Sequence, residues 1–417
     1  MKSILVIVSL AILLVMLALI TYQFFPPVRH APLPTPPAVE KPLPPRPLTL
    51  ADPHHLPSFH DDTEEESILK AIDLHLKRLA LLNQDEKVPF GDMAVPRRRI
   101  TATLELFRQL LKGRGLRALE QEMSKHFLIY QASGQTGKRD VLFTGYYEPI
   151  LDARTKPNRE YRYPLYKAPS DLQVLDLGDI DPRHAGTKIA LRVAGGRIRP
   201  YFDRQAIDAD NVLTGKGLEL AYLKDDLDRY MLQVQGSGVL RLENDRIMKI
   251  GYAGTNHFPY VSLGKLLINE RIIPEDTMSL AAIRRYYRKN PGEAVRHMNR
   301  NRRYIFFREV DGPVTGCESV ELTPGRSIAT DKRLFPGGGL AFAVCRKPSP
   351  KASSETAGPS IVISRFMLDQ DTGSAIQGPG RVDIFWGTGD EAGRIAGGFK
   401  YDGELYYLLI KEEEIQD

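Results

Sequence analysis

The chain reads as an α+β protein, mainly β with helices packed against it, and three observations carry that reading. Short runs rich in Val, Ile, Phe and Tyr, bounded by Gly, Pro and Asp, recur from Phe127 almost to the C-terminus. Helical periodicity is confined to a stretch before residue 126 and another around 261–288. Composition is that of a globular protein: 417 residues, 42% hydrophobic and 26% charged, enough to bury two cores. The net charge of only +5 excludes a dedicated nucleic-acid binder and leaves an anionic polymer as a fitting partner.

Ile4 to Ile20 is apolar apart from Ser9, follows Lys2, and with Phe24-Phe25 reaches a length that can span a bilayer. Thr21-Tyr22-Gln23 offers no small-residue cleavage site, so residues 1–25 are expected to stay as a transmembrane anchor rather than be removed as a signal. Twelve of the thirty prolines lie between Pro26 and Pro57, which predicts an extended spacer over residues 26–57. Folded structure is then expected from about Asp62. Thr63-x-x-Glu66 has the form of a capping box, with Ile68, Ile72, Leu76 and Leu79 at helical spacing behind it. Helices are expected at Thr103 to Lys112 and Leu116 to Lys125. Strands follow at Phe127 to Tyr130 and Val141 to Tyr147, and a β-domain at about residues 153–254.

Helices return at Val261 to Ile268 and Ser279 to Arg288. Tyr304 to Phe307, Ser319 to Leu322, Leu340 to Val344, Ile361 to Met367, Val382 to Phe385 and Leu405 to Ile410 then read as the strands of a second β-barrel. Lys347 to Ser360 has the composition of a surface loop. The basic run Arg284 to Arg303 reads as the solvated faces of two helices. Cys317 and Cys345, 28 positions apart, are either one disulfide or two packed thiols.

The chemistry concentrates in Asp371-Thr-Gly-Ser-Ala-Ile-Gln-Gly-Pro-Gly-Arg-Val-Asp383, followed by Ile384-Phe-Trp-Gly387. A carboxyl set among Val382, Ile384, Phe385 and Trp386 loses hydration of its charged form and can hold a proton to donate, as a general acid must. The alternative is that both acids only brace a turn between strands. Asp371-Thr-Gly-Ser imitates an aspartic-protease motif, but a second copy is absent. Gln235-Gly-Ser-Gly238 lacks the glycine spacing of a nucleophile elbow, so Ser237 reads as a binding or turn residue. His54, His55 and His60 beside Asp61 and Asp62 match no metal-site spacing, and neither a metal nor a cofactor is expected.

Taken in order, Thr144-Gly-Tyr-Tyr-Glu-Pro149, Tyr163-Pro-Leu-Tyr166, Gln233-Val-Gln-Gly-Ser-Gly238, Gly251-Tyr-Ala-Gly254, Leu322-Thr-Pro-Gly-Arg-Ser327 with Asp331, and the block from Asp371 to Gly398 resemble the membrane-bound lytic murein transglycosylase A family. The resemblance implies a double-psi β-barrel catalytic domain over residues 58–152 and 255–417, a smaller inserted β-domain over 153–254, and a groove between them for peptidoglycan glycan strands. It implies cleavage of the β-1,4 bond between N-acetylmuramic acid and N-acetylglucosamine with formation of a 1,6-anhydromuramoyl end. Asp383 would be the general acid and base, with Asp371 supporting it. Thr144, Gly145, Tyr146, Tyr147, Gln235, Ser237 and Asp331 are the candidate substrate-binding residues.

A non-catalytic glycan-binding scaffold and a hydrolase of the same glycan are the competing readings. The first cysteine is Cys317, so no lipidated cysteine follows the apolar segment. The expected location is therefore the periplasmic face of the inner membrane rather than the outer membrane, with other cell-wall enzymes as candidate partners.

Overall fold

Six strands, several of them buried on both faces, close into a barrel in the computed structural model, which describes residues 46–184, 186–349 and 360–415. The strands are β1 (Val141–Glu148), β2 (Ser327–Ala329), β3 (Leu340–Pro348), β4 (Ser360–Asp371), β5 (Arg381–Thr388) and β6 (Lys400–Ile410). Their order around the barrel is β1-β6-β3-β4-β2-β5, and β5 pairs back onto β1 to close it. Two pairs are parallel, β2 with β4 and β5 with β1. Closure leaves these six strands no free edge among themselves. The interior is filled by Val141, Phe143, Ile328, Ala341, Met367, Val382, Ile384 and Tyr407, all buried.

Helices α1 (Glu65–Leu79), α2 (Arg97–Arg114) and α3 (Leu116–His126) cover one face of the barrel sheet. Ile68, Ile72 and Leu79 of α1 and Leu104, Phe107 and Leu111 of α2 meet Phe342, Phe366 and Leu408 in a second core. Acids begin α1 and Lys77 and Arg78 end it, complementing its macrodipole. The capping box does not form. Helix α1 starts at Glu65, and the Thr63 hydroxyl donates to Asp61, whose carboxylate is fixed by Arg326.

Between β1 and β2 the chain builds a six-stranded sheet, ordered Ile305–Glu309, Ile247–Thr255, Gly238–Arg241, Ile150–Arg154, Glu219–Leu223, Tyr163–Tyr166. Its core is Ala153, Leu165, Ala221, Leu240, Ile250 and Phe307. A separate three-stranded sheet, Gln173–Asp176, Lys188–Ala194 and Arg197–Pro200, packs on it through a cluster that joins Ala190 to Tyr166 and Phe306. Helices Leu263–Asn269, Leu280–Lys289 and Pro291–Arg300 pack on Asp226–Gln235 through Leu227, Tyr230, Leu267 and Tyr287. The basic run thus occupies two helices, as its spacing suggests.

Several expectations are corrected. Ordered structure begins before Asp62, because Leu48–Leu50 pairs with Phe127–Ala132 and Leu48 is buried. Ser319 to Leu322 is not a strand; only an isolated bridge, Thr315 to Glu321, forms there, and Ser319 turns the chain at φ 58°. The helix Asp226–Gln235 lies inside the stretch read as β, its start fixed by the Asp225 carboxylate accepting from the Asp228 amide. The strand β3 runs to Pro348 and β4 resumes at Ser360, leaving the centre of the expected loop, 350–359, outside the described residues. The expected anchor and most of the spacer, residues 1–45, also lie outside them. Both cysteines are free thiols, Cys317 exposed and Cys345 buried.

Candidate active site

Asp383 lies midway along β5, cross-strand from Ala329 of β2 and Thr144 of β1. The alternation of β5 sends Val382 and Ile384 into the barrel interior and turns Arg381 and Asp383 to the opposite face. There the Thr144 hydroxyl donates to Oδ1 of Asp383, and an Arg381 guanidinium nitrogen lies 3.1 Å from the same oxygen. Oδ2 takes no hydrogen bond from any described residue. The side chain is 19% exposed, so it is largely desolvated yet reachable. Burial raises its pKa above the usual carboxylate range and the nearby Asp371 adds to this, while the Arg381 cation opposes it.

Asp371 ends β4. Its Oδ2 accepts from the Tyr146 hydroxyl at 2.8 Å, and its Oδ1 accepts from the backbone amides of Cys317 at 3.0 Å and Thr372 at 2.9 Å. Burial raises its pKa too, against the pull of these donors. Gly316 lets the Cys317 segment come this close: a Cβ there would lie 2.3 Å from the carbonyl oxygen of Gln370. Tyr146 is wedged between Asp371 and the Phe385 ring, 5.3 Å away, and its hydroxyl is held protonated by burial and by that carboxylate.

A cleft of about 840 Å³ opens beside the two acids. The barrel contributes Tyr146, Asp371 and Asp383 to it; the other wall includes Gln235, Ser237, Tyr252, Tyr260 and Arg303. Gln235 is the last residue of its helix, and Gly236 stops that helix in the left-handed region at φ 82°. Gly238 then enters a strand where a Cβ would lie 2.5 Å from Leu232 and 3.3 Å from the carbonyl oxygen of Pro149. Gln-Gly-Ser-Gly is thus a helix stop and strand start that holds Gln235 and Ser237 at the cleft.

Of the residues singled out from sequence, Tyr146, Gln235, Ser237, Asp371 and Asp383 line the cleft, and Thr144 touches Asp383 directly. Gly145 lies under Trp386, where a Cβ would meet the indole at 2.7 Å. Tyr147 packs over Gly393 of the helix Asp390–Gly397 and donates its backbone amide to Gln235 at 3.1 Å. Asp331 pairs with Arg333 at 2.6 Å and accepts from the Gly378 amide at 2.8 Å, so it pins the loop joining the two acids. Sequence reasoning passed over Arg381, although its i−2 spacing from Asp383 in a strand places both on one face. Tyr252, inside Gly251-Tyr-Ala-Gly254, and Arg303, at the end of the basic run, are not among the residues singled out from sequence, and the cleft brings them to the site. Among the described residues no group of His, Cys, Asp and Glu is placed to hold a metal ion.

Two family models match in succession, the MltA specific insert domain over residues 142–308 and the 3D domain over residues 326–409. The membrane-bound lytic murein transglycosylase A of Vibrio cholerae is 28% identical over 289 residues, covering 69% of this chain and 70% of the relative. Its Escherichia coli counterpart is 28% identical over 282 residues, with 67% and 68% covered. Among solved structures, a membrane-bound lytic murein transglycosylase from Agrobacterium tumefaciens superposes with a TM-score of 0.70 at 28% identity, over 87% of this chain and 97% of that one. Escherichia coli MltA with bound chitohexaose shares the fold, with a TM-score of 0.64 at 23% identity over 88% and 94%. The closed barrel is thus the double-psi type expected. With insert and barrel matched in the same order along relatives of similar length, the chain belongs to the membrane-bound lytic murein transglycosylase A family.

Proposed function

We propose that the protein is a peptidoglycan lytic transglycosylase, with Asp383 as its single general acid and base. The observation that carries this is the asymmetry of the two carboxyl groups. Asp383 is desolvated, fixed through Oδ1 by Thr144 and Arg381, and free of hydrogen bonds at Oδ2. Asp371, in contrast, has both oxygens occupied by donors. A retaining hydrolase needs a second carboxylate free to attack C1, and an inverting one needs a second carboxylate free to activate water. Asp371 is poorly placed for either task.

The reaction then runs with one acid. Protonated Asp383 gives its proton to the glycosidic oxygen as the bond to C1 of N-acetylmuramic acid breaks. The C6 hydroxyl of the same sugar attacks C1, and the Asp383 carboxylate takes the hydroxyl proton, leaving a 1,6-anhydromuramoyl end and restoring the acid. Attack within one sugar supplies by proximity what a nucleophilic carboxylate supplies elsewhere. Asp371 remains anchored beside the site, where its negative charge favours the oxocarbenium-like transition state. Tyr146, Gln235 and Ser237 would contact the sugars. Thr144 positions Asp383, and Gly145, Tyr147 and Asp331 support the walls.

The proposal extends to the architecture and location. The barrel body carries the acids, and the insert as a functional unit runs from Ile150 to Glu309, wider than residues 153–254, because the Ile305–Glu309 strand completes its sheet. Residues 1–25 would hold the enzyme at the periplasmic face of the inner membrane, and the Pro-rich segment would lift it toward the wall. Among the described residues no helix is long and apolar enough to cross a membrane.

The test is mass spectrometry of products released from purified peptidoglycan by the full-length chain and by Asp383→Asn. Anhydro-muropeptides from the parent, absent with a folded variant, are expected. Reducing ends would make the protein a hydrolase, and binding without release by the parent would make it a scaffold.

A further inference from the structure

The insert wall of the cleft carries three cations without an acid to pair them. Lys249 lies on the Ile247–Thr255 strand and Arg308 on Ile305–Glu309, where Arg308 sits directly cross-strand from Gly251. Lys249 and Gly251 are two apart on one strand and therefore share a face. Lys249, Gly251, Arg303 and Arg308 all line the cleft that holds Asp383. Between them the Val310 side chain packs over Gly251, where a Cβ would lie 3.2 Å from Val310 Cγ1.

Arg303 enters from the segment before the second strand and is half-buried. Its recorded hydrogen bond goes to the carbonyl oxygen of Phe258 at 3.2 Å, and its Nε, buried, has no partner. Lys249 donates to the carbonyl oxygen of Gly312 at 2.8 Å. Among the described residues none of the three has a carboxylate within ion-pair distance, although Asp311 lines the same wall. Arg204, the other cleft cation, does: it pairs with Asp208 at 3.3 Å.

Desolvating a cation without a counter-charge is costly, and Arg303 bears that cost most, while Lys249 is half-buried and Arg308 exposed. Three converging on one cleft wall beside a half-exposed tyrosine, Tyr252, make a site that an anion would complete. A neutral glycan alone does not supply that anion. We propose that Lys249, Arg303 and Arg308 form a carboxylate-binding subsite on the insert wall, which takes a carboxylate carried by muramic acid, on its lactyl group or on the peptide attached to it. The proposal rests on the glycan-cleaving reading above. It makes the cleft selective for muramic-acid strands over neutral glycans of the same backbone.

The experiment is equilibrium binding to the full-length chain carrying Asp383→Asn, which blocks turnover. The probes are peptide-bearing glycan strands, the same strands stripped of peptide so that the lactyl carboxylate is free, and chitohexaose, which has no carboxylate. Peptide-bearing strands are expected to bind more tightly than chitohexaose, by a margin that shrinks as salt is raised. Adding Lys249→Gln and Arg308→Gln, both on partly or fully exposed strand positions, should cut that preference roughly tenfold. Stripped strands that keep the preference show that the freed lactyl carboxylate fills the subsite as the peptide carboxylates do; stripped strands that bind like chitohexaose assign it to the peptide alone.

A preference unaltered by the double variant, or insensitive to salt, overturns the subsite. So does equal binding of all three probes. A parent chain that shows the preference but releases no anhydro product overturns the catalytic reading and leaves the subsite standing. Binding of none of the probes overturns both.

Discussion

The Thr144 hydroxyl donates to the carboxylate of Asp383 across a parallel strand pair, joining residues 239 positions apart in the chain. This bond fixes one carboxyl oxygen and leaves the other without a donor among the described residues, free for the proposed proton transfer. Thr144→Val keeps the shape and removes the donor. Hydrogen bonds to a charged group contribute about 1.5–3 kcal/mol, so kcat is expected to fall roughly ten- to a hundredfold. KM should change little, since Thr144 does not line the cleft. Steady-state kinetics on soluble glycan strands separate the two, and a rise in KM alone would make Thr144 a sugar contact.

Arg381 is the cation that opposes the burial-driven rise in the pKa of Asp383. Asp383 must be protonated to act as an acid, so activity falls as pH rises through its pKa. Removing the cation with Arg381→Gln lets that pKa climb further, and the alkaline limb of the pH profile should move to higher pH. Profiles of kcat/KM for parent and variant give the answer, and a shift to lower pH would contradict the assignment of that limb to Asp383.

The buried pair Arg326–Asp61, at 2.5 Å with both side chains almost fully enclosed, ties the segment before α1 to the barrel. Arg326 also donates to the carbonyl oxygens of Phe366 and Glu64, and Asp61 accepts from the Phe366 amide. Asp61→Ala leaves a buried guanidinium without its counter-charge and should cost about 3–5 kcal/mol. Asp61→Leu with Arg326→Met should recover much of that loss, because burying neither charge avoids the desolvation. Urea denaturation of the three proteins provides the comparison.

Gly145→Ala places a methyl group 2.7 Å from the indole of Trp386 and 3.0 Å from the Cα of Ala396. Overpacking of this kind costs about 1–3 kcal/mol. Trp386 is the sole tryptophan of the chain, so its emission reports the displacement directly. A lower melting temperature with altered fluorescence is expected. An unchanged spectrum with lost substrate binding would instead point to a direct sugar contact at this glycine.

Much of the fold is legible because its signals are local. Ile68, Ile72 and Leu79 repeat at helical spacing and do bury one face of α1. Val382 and Ile384 alternate with Arg381 and Asp383, and the strand follows. The misses are also physical. Thr63 fits a capping box, yet Asp61 is already fixed by Arg326 and takes the Thr63 hydroxyl for itself. Ser319 to Leu322 has strand composition, but it lacks a continuous partner strand and makes one bridge. The helix at Asp226–Gln235 carries a local signal, an N-capping Asp225 before helix-forming Leu, Arg, Met and Gln, but it is short and hidden among β-rich runs, and it packs against Leu263, Leu267 and Tyr287.

The sequence by itself determined which residues could do chemistry: an acid in an apolar strand, a second acid across a glycine-rich connection, and a hydrophobic N-terminal segment before a proline-rich one. These follow from residue type and from periods of two and 3.6, which need no knowledge of distant neighbours. Only the tertiary structure decided what each one touches. Barrel closure brought β1 beside β5 and so gave Asp383 its threonine, while the turn at Gly316 brought the Cys317 amide onto Asp371. The insert sheet set Lys249, Arg303 and Arg308 on the same cleft as Asp383. Pairing register and closure depend on partners hundreds of residues away, and a local pattern cannot encode which strand those partners will be.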